Sequence, residues 1–251
     1  MTCLPTHTMS AKQIQLDVHT HTLASGHAYS TVTEMAKAAS EKGLKLLGIT
    51  EHAKGIPGTC QDIYFANMEV IPRHMFGIEL VMGSEINILD YEGNLSLSDR
   101  YIDYLDIRIA GIHPHCYQAG TGRQNTDAIL GAIKNPRIDI ISHPDDGRLN
   151  LDFEELVLAS KEYHTLLEVN NSSLQSPNRL NVRENVLEIL RLCKKYQVPV
   201  IADSDAHFAT EVGEIPVSLE VLKEADFPDE LVMNYDLEKF KAFLAANRRA
   251  Q

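Results

Sequence analysis

The stretch Ile14-Gln15-Leu16-Asp17-Val18-His19-Thr20-His21 decides how this chain is read. Residues 14–18 have the apolar content of a short strand, and two imidazoles follow at once. Side chains alternate along an extended chain, so His19 and His21 point to the same side and can share one metal ion.

Working outward, six more segments rich in Ile, Leu and Val read as strands: 45–49, 80–86, 105–112, 138–142, 165–170 and 198–203. Amphipathic helical stretches lie between them. Thr31-Val32-Thr33-Glu34 has capping-box spacing ahead of Met35, Ala38 and Ala39, and Gly43 stops that helix. Further helices fit 124–135, 152–163 and 182–196, the last with Val186, Leu187, Ile189, Leu190 and Cys193 along a face. Strand and helix in alternation predict an α/β fold with a parallel sheet wound into a barrel. Residues after Phe208 are helical up to Asn247 without an eighth strand, which predicts an incomplete or distorted barrel. Residues 1–12 read as a loose tail and 13–251 as one domain, with long loops at 53–62 and 174–181 able to roof a site.

Composition narrows the class. With 251 residues, 44% hydrophobic and 23% charged, the chain can bury one large core. No window approaches the roughly 18 apolar residues of a membrane span, and the first ten residues lack a secretory pattern, so a cytoplasmic protein is expected. Cys3, Cys60, Cys116 and Cys193 are scattered without Cys-x-x-Cys spacing, which predicts free thiols rather than disulfides or a thiolate zinc site. A formal charge of −12 argues against long nucleic acids as partners. It remains compatible with a small anionic substrate, because bound divalent ions reverse the local sign.

The chemistry lies at the strand ends. His27 follows in the first loop, His52 follows the second strand, Glu85 ends the third, His113 ends the fourth and His143 follows the fifth. Asp205 and His207 follow the seventh with a spacing that again lets two side chains converge. Alone, each histidine reads as a hydrogen-bonded structural residue. Six of seven strands followed at one end by such residues point to a metal site at the barrel's C-terminal face. Imidazoles with few carboxylates favour zinc, with manganese or iron next. Asp17 reads either as an acceptor orienting an imidazole or as a buried structural carboxylate. His7 belongs to the tail, His74 to a helix, and His164 precedes the sixth strand at the wrong end. His115 leans towards a structural role.

Asp17-Val18-His19-Thr20-His21, Thr50-Glu51-His52 and Asp203-Ser204-Asp205-Ala206-His207 together resemble the motifs of the polymerase and histidinol phosphatase (PHP) domain family, particularly its small stand-alone bacterial phosphatases. Ala28-Tyr29-Ser30, Gly83-Ser84-Glu85, Ala110-Gly111-Ile112-His113, Ile141-Ser142-His143-Pro144 and Asn170-Asn171-Ser172-Ser173 extend the likeness from Gln15 to Glu214. Two features depart from it: Glu51 stands where Asp is common, and His113-Pro114-His115 replaces a carboxylate-containing continuation. The resemblance implies a distorted, TIM-like, seven-stranded (β/α)7 barrel holding up to three metals. It places His19, His21, Glu85 and Asp205 around the first, Glu85, His113 and His143 around the second, and His27, His52 and His207 around the third.

The expected activity is hydrolysis of small phosphomonoesters by metal-activated water, with Asp205, His207 or His143 handling protons. Arg148, Arg179 and Asn171 are the candidate substrate contacts, and a homo-oligomer is possible in principle for such a chain. Two other readings share part of the pattern. An amidohydrolase also begins with His-x-His, but its two-metal design commonly uses a bridging lysine where Glu85 stands. A non-catalytic metal-binding module would close every coordination position.

Overall fold

A computed structural model describes residues 12–249. Its strands are β1 (Leu16–Asp17), β2 (Leu46–His52), β3 (His74–Met75), β4 (Ile78–Asn87), β5 (Ile107–Gly111), β6 (Ile140–Ile141), β7 (Leu166–Asn170) and β8 (Val200–Asp203). Seven of them run parallel in the order β1-β2-β4-β5-β6-β7-β8, and the sheet curls into a nearly closed barrel. The helices are α1 (Val32–Glu41), α2 (Ile63–Ala66), α3 (Asp99–Ile102), α4 (Gly122–Lys134), α5 (Phe153–Tyr163), α6 (Asn171–Gln175), α7 (Val182–Tyr196), α8 (Pro216–Glu224) and α9 (Leu237–Arg249). The long helices start where the chain supplies caps. Thr31 with Glu34 and Thr121 with Gln124 each form a reciprocal capping box, and Asp152 caps α5 through the Glu155 amide.

Period-two alternation sorts the strand residues into two layers. Outward residues such as Leu47, Met82, Ala110, Leu167, Val169 and Ala202 join the helices in one large core. Inward residues Leu16, Leu46, Ile107, Ile109, Ile140, Leu166 and Ile201 fill the lower barrel. Along the same inward faces the residues become polar towards the strand ends: Leu46 leads to His52, Leu166 to Glu168, and Ile201 to Asp203. The lower layer is a packed apolar floor, and the upper layer is buried but polar.

Two expectations need correction. His74 lies in β3 rather than a helix; β3 pairs antiparallel with β4 across Phe76 and Gly77, both at positive φ. That is the backbone of a tight hairpin turn, and Phe-Gly is a weaker signal for it than Asn-Gly. The loop expected to start at residue 174 begins inside the last turn of α6. The tail expected over residues 1–12 lies, apart from Lys12, outside the described residues.

β8 and β1 do not form a continuous ladder; side chains close the seam instead. Near the top, the Val18 amide donates to Asp203 Oδ1 at 2.8 Å and the Ser204 amide donates to Asp17 Oδ1 at 3.2 Å. Near the bottom, Asn234 acts as a missing peptide: its Oδ1 accepts from the Ala202 amide, and its Nδ2 donates to the carbonyls of Leu16 and Ala202. Met233, Phe240 and Leu244 plug the floor beneath it. Removing that amide strands three buried backbone groups, at about 1–3 kcal/mol for each one that water fails to reach. Asn234→Ala is therefore expected to lower unfolding stability by at least about 2 kcal/mol in urea titrations. An unchanged midpoint would show that the seam closes without it.

Candidate metal centre

The ligand-type residues expected from the strand ends converge at the C-terminal mouth, with Glu85 at their centre. Its Oε2 lies 3.3 Å from His19 Nε2, 3.6 Å from His21 Nε2 and 2.9 Å from His52 Nδ1. Its Oε1 lies 3.2 Å from His113 Nε2 and 2.9 Å from His143 Nε2, and accepts from Ser142 Oγ at 2.8 Å. Gly111 makes room for this crowd: a Cβ there would fall 2.1 Å from Ser142 Oγ and 3.2 Å from Glu85 Oε1.

Opposite Glu85, Asp205 Oδ1 lies 3.6 Å from His19 Nε2 and 3.2 Å from His21 Nε2. His19 Nε2, His21 Nε2, Glu85 Oε2 and Asp205 Oδ1 are all buried without a hydrogen-bond partner. Four orphaned ligand atoms whose imidazole–carboxylate pairs lie 3.2–3.6 Å apart form no stable protein interior by themselves. A tetrahedral zinc ion with bonds of roughly 2.0–2.2 Å has edges of roughly 3.3–3.6 Å, so the donor set fits such an ion.

The far side of each ring supports the same reading. His19 Nδ1 meets Glu168 Oε1 at 2.7 Å, and His21 Nδ1 meets Ser25 Oγ, which donates in turn to Glu51. His27 Nδ1 and His207 Nδ1 face the carbonyls of Ser25 and Asp205. Each acceptor places the proton on Nδ1 and leaves a lone pair on Nε2. Nε2 of His27 and Nε2 of His207 then face each other at 3.1 Å, a repulsive contact until a cation or proton lies between them. Three groups can thus hold a metal: His19, His21 and Glu85; His52, Glu85 and His113; and His21, His52 and His207.

Protonation in the metal-free protein follows from the same packing. Burial pushes His19 down, but Glu168, Glu85 and Asp205 outweigh it and hold the ring well above its ordinary value. Burial, then His52 and His207, hold His21 well below. Burial raises Glu85, yet His113, His19 and His52 keep its carboxylate well below the usual range. His143 and Asp205 both have positive φ, +33° and +56°, a conformation that costs roughly 1–3 kcal/mol and is tolerated where the surroundings impose it.

The remaining candidates are less central. Asp17 touches no imidazole; it accepts from Ser204 and Gly213 and is the seam carboxylate described above. His115 is exposed, and His164 ends α5 in the left-handed region, ahead of β7 rather than after it. Arg148 is clasped by Asp146, whereas Arg179 makes only two long contacts, 3.4 Å to Asp145 Oδ1 and 3.4 Å to the His143 carbonyl. Both line a cavity of about 380 Å³ beside His143, walled by Ile112, Pro114, Tyr117 and Leu149. Asn171 Oδ1 accepts from the Val217 and Ser218 amides at the start of α8, and the residue borders a second cavity of about 400 Å³ with Asp205. Glu168 and Asp145 were missed. Glu168 carried a signal, a carboxylate inside the apolar run Leu166-Leu167-Glu168-Val169; Asp145 directly follows His143-Pro144 and is buried against Ser173, with burial raising its pKa to about 6.

A parallel barrel whose mouth gathers imidazoles around a central carboxylate is an architecture suited to metal-dependent hydrolysis. The PHP domain profile matches residues 17–210, and a PHP-associated profile matches 185–250. The chain belongs to the PHP domain family, and it is a hydrolase. A probable phosphatase of Caldicellulosiruptor bescii is 43% identical over 231 residues, covering 92% of this chain and 95% of that protein. A probable phosphatase of Clostridium novyi is 44% identical over 229 residues, covering 91% and 93%. Among solved structures, histidinol phosphate phosphatase of Lactococcus lactis, complexed with zinc, L-histidinol and phosphate, superposes with a TM-score of 0.59. At 15% identity, covering 86% of this chain and 95% of that one, it shares the fold.

Because Glu85 faces two groups of imidazoles and His27 only one, their substitutions separate. Glu85→Gln is expected to lower zinc uptake across the centre, with affinity falling by more than about a hundredfold. His27→Ala is expected to cost no more than a single ion. Elemental analysis with a chelator competition measures both, and equal losses would contradict the bridging position of Glu85.

Proposed function

We propose that this protein is a metal-dependent phosphatase of small phosphomonoesters, working with up to three zinc ions at the barrel mouth. The carrying observation is the set of four orphaned donors on His19, His21, Glu85 and Asp205, held at the spacing of a tetrahedral ion. His113 and His143 with the other oxygen of Glu85 would hold a second ion, and His27, His52 and His207 a third. Ions held there supply Lewis acidity, which polarises phosphoryl oxygens and lowers the pKa of water.

The chain's own residues then bind, orient and move protons. Arg179 is the better phosphate clamp of the two arginines, since its guanidinium makes only long contacts while Asp146 engages Arg148. The cavity of about 380 Å³ has room for a small leaving group against Ile112, Pro114, Tyr117 and Leu149. Asn171 and Arg148 border the mouth as further contacts. Burial and the Arg179 charge hold His143 below its ordinary pKa, which suits a lone-pair donor rather than an acid at neutral pH. Proton transfer falls to Asp205, whose Oδ2 accepts from Asn170, and, when the third position holds no ion, to His207, which is only part-buried. The names of the full-length relatives and the zinc and phosphate in the Lactococcus lactis structure support this reading.

The test is hydrolysis of a small phosphomonoester by protein loaded with zinc, manganese or iron, set against a diester, an amide and metal-stripped protein. Monoester turnover is expected that disappears on stripping and falls more than about a hundredfold in His19→Ala. Amide turnover would favour an amidohydrolase, and full loading without turnover a binding module. Arg179→Gln is expected to reduce kcat/KM about tenfold or more with metal content unchanged; a wild-type value would remove Arg179 from the phosphate site.

A further inference from the structure

Of the seven parallel strands, β7 alone delivers no metal-ligand candidate, yet its inward face is polar at both upper positions: Leu166 is followed on that face by Glu168 and Asn170. Glu168 is 1% exposed and Asn170 is fully buried. A carboxylate at such a position needs partners, because desolvating it alone costs several kcal/mol. Its partners are not generic. Oε1 meets His19 Nδ1 at 2.7 Å, and Oε2 accepts from the backbone amide of His143 at 2.8 Å and from Asn170 Nδ2 at 3.1 Å. Asn170 Nδ2 also lies 3.3 Å from Asp205 Oδ2, while Asn170 Oδ1 accepts from the Ser173 amide and caps α6.

We propose that Glu168 and Asn170 are positioning residues that make β7 the orienting strand of the centre, tying His19, His143 and Asp205 into one rigid set. This rests on the metal-centre reading above. Three geometric facts carry it. Glu168 Oε1 fixes the His19 proton on Nδ1 and turns its Nε2 lone pair inwards. Glu168 Oε2 holds the amide of His143, whose φ of +33° a non-glycine residue keeps only when its surroundings hold it there. Asn170 fixes the Asp205 carboxylate from behind, so that Oδ1 faces His19 and His21. His19 and His143 lie on opposite oxygens of Glu85, so one carboxylate on β7 sets the separation of two metal positions.

Two variants test this, with zinc content and chelator competition as readouts besides activity. Glu168→Gln keeps the side-chain shape but has one oxygen where two acceptors are needed, so an amide N–H must face either His19 or His143. Asn170→Ser keeps an oxygen able to cap α6 and deletes the N–H towards Glu168 and Asp205. Each is expected to weaken zinc binding by about 10–100-fold, while metal-free variant and metal-free wild type unfold at similar urea midpoints. Glu168→Asp, one methylene shorter, should not restore affinity, whereas a merely structural carboxylate would be rescued by it. Wild-type zinc affinity in both variants would overturn the role of β7. Should Glu168→Gln fail to fold, Asn170→Ser decides alone by the same measurement. Wild-type protein that takes up no zinc would instead overturn the metal-centre reading itself, so the two failures are distinguishable.

Discussion

The mouth of this barrel is organised around one desolvated carboxylate. Glu85 is 1% exposed, and a charge so placed is stable only among compensating groups. Imidazoles from β2 and from the segments after β1, β5 and β6 surround it, and Ser142 donates to it directly. Hydrogen bonding cannot be the whole compensation, since Oε2 finds no aligned donor although three ring nitrogens lie within 3.6 Å. What satisfies lone pairs converging from several directions at once is a cation. The same demand explains Gly111, the positive φ of His143 and, among the described residues, the buried polar side chains that gather at the strand ends.

The seam extends this constraint to the ends of the chain. Asp205 and His207 follow β8, so their placement against His19 and His21 depends on how β8 meets β1. Ladder bonds are sparse there: a single bridge joins Thr20 and Ala206, and the His21 amide donates to the Ala206 carbonyl at 2.9 Å. The Asp17 and Asp203 carboxylates cross-link the strands above the floor, and Asn234 does so below. Residues after Phe208, which read in the sequence as helices without a strand, therefore supply through Asn234 what an eighth strand would have supplied.

Most of the parallel architecture and the converging side chains were legible because both obey local rules. Strands of Ile, Leu and Val carry their own signal, and a residue directly after a strand inherits its position at the mouth. The spacing of His19 with His21, and of Asp205 with His207, placed these pairs without any tertiary information. What escaped depends on long-range partners. Asn234 looks like any polar residue of a helical segment until Leu16 and Ala202 are brought beside it. Asp17 reads in the sequence as either an imidazole acceptor or a structural carboxylate, and nothing local shows that Ser204 and Gly213 claim it. The β3 arm rests on two residues at positive φ, one of them Phe76, which seldom adopts that backbone. Glu168 was visible as an oddity within β7, but its partners lie 149 and 25 residues away in sequence.

The overall charge and the proposed substrate are of the same sign, and the choice of ligands resolves the conflict. A chain at −12 repels phosphate at long range, but exposed charges are screened over roughly 8 Å at physiological ionic strength. Inside the mouth the balance differs. Neutral imidazoles add no negative charge, so under the proposed loading Glu85 and Asp205 offset only a minor part of the charge on the divalent ions. A shell of carboxylates would have neutralised the same ions and left nothing to attract an anion. On the proposed function, the excess of histidine over acid at the strand ends is thus a constraint set by an anionic substrate as much as by the metal. It also accounts for Glu51 and Glu168 lying behind the rings rather than among the ligands, where they orient imidazoles without occupying a position towards which phosphate must come.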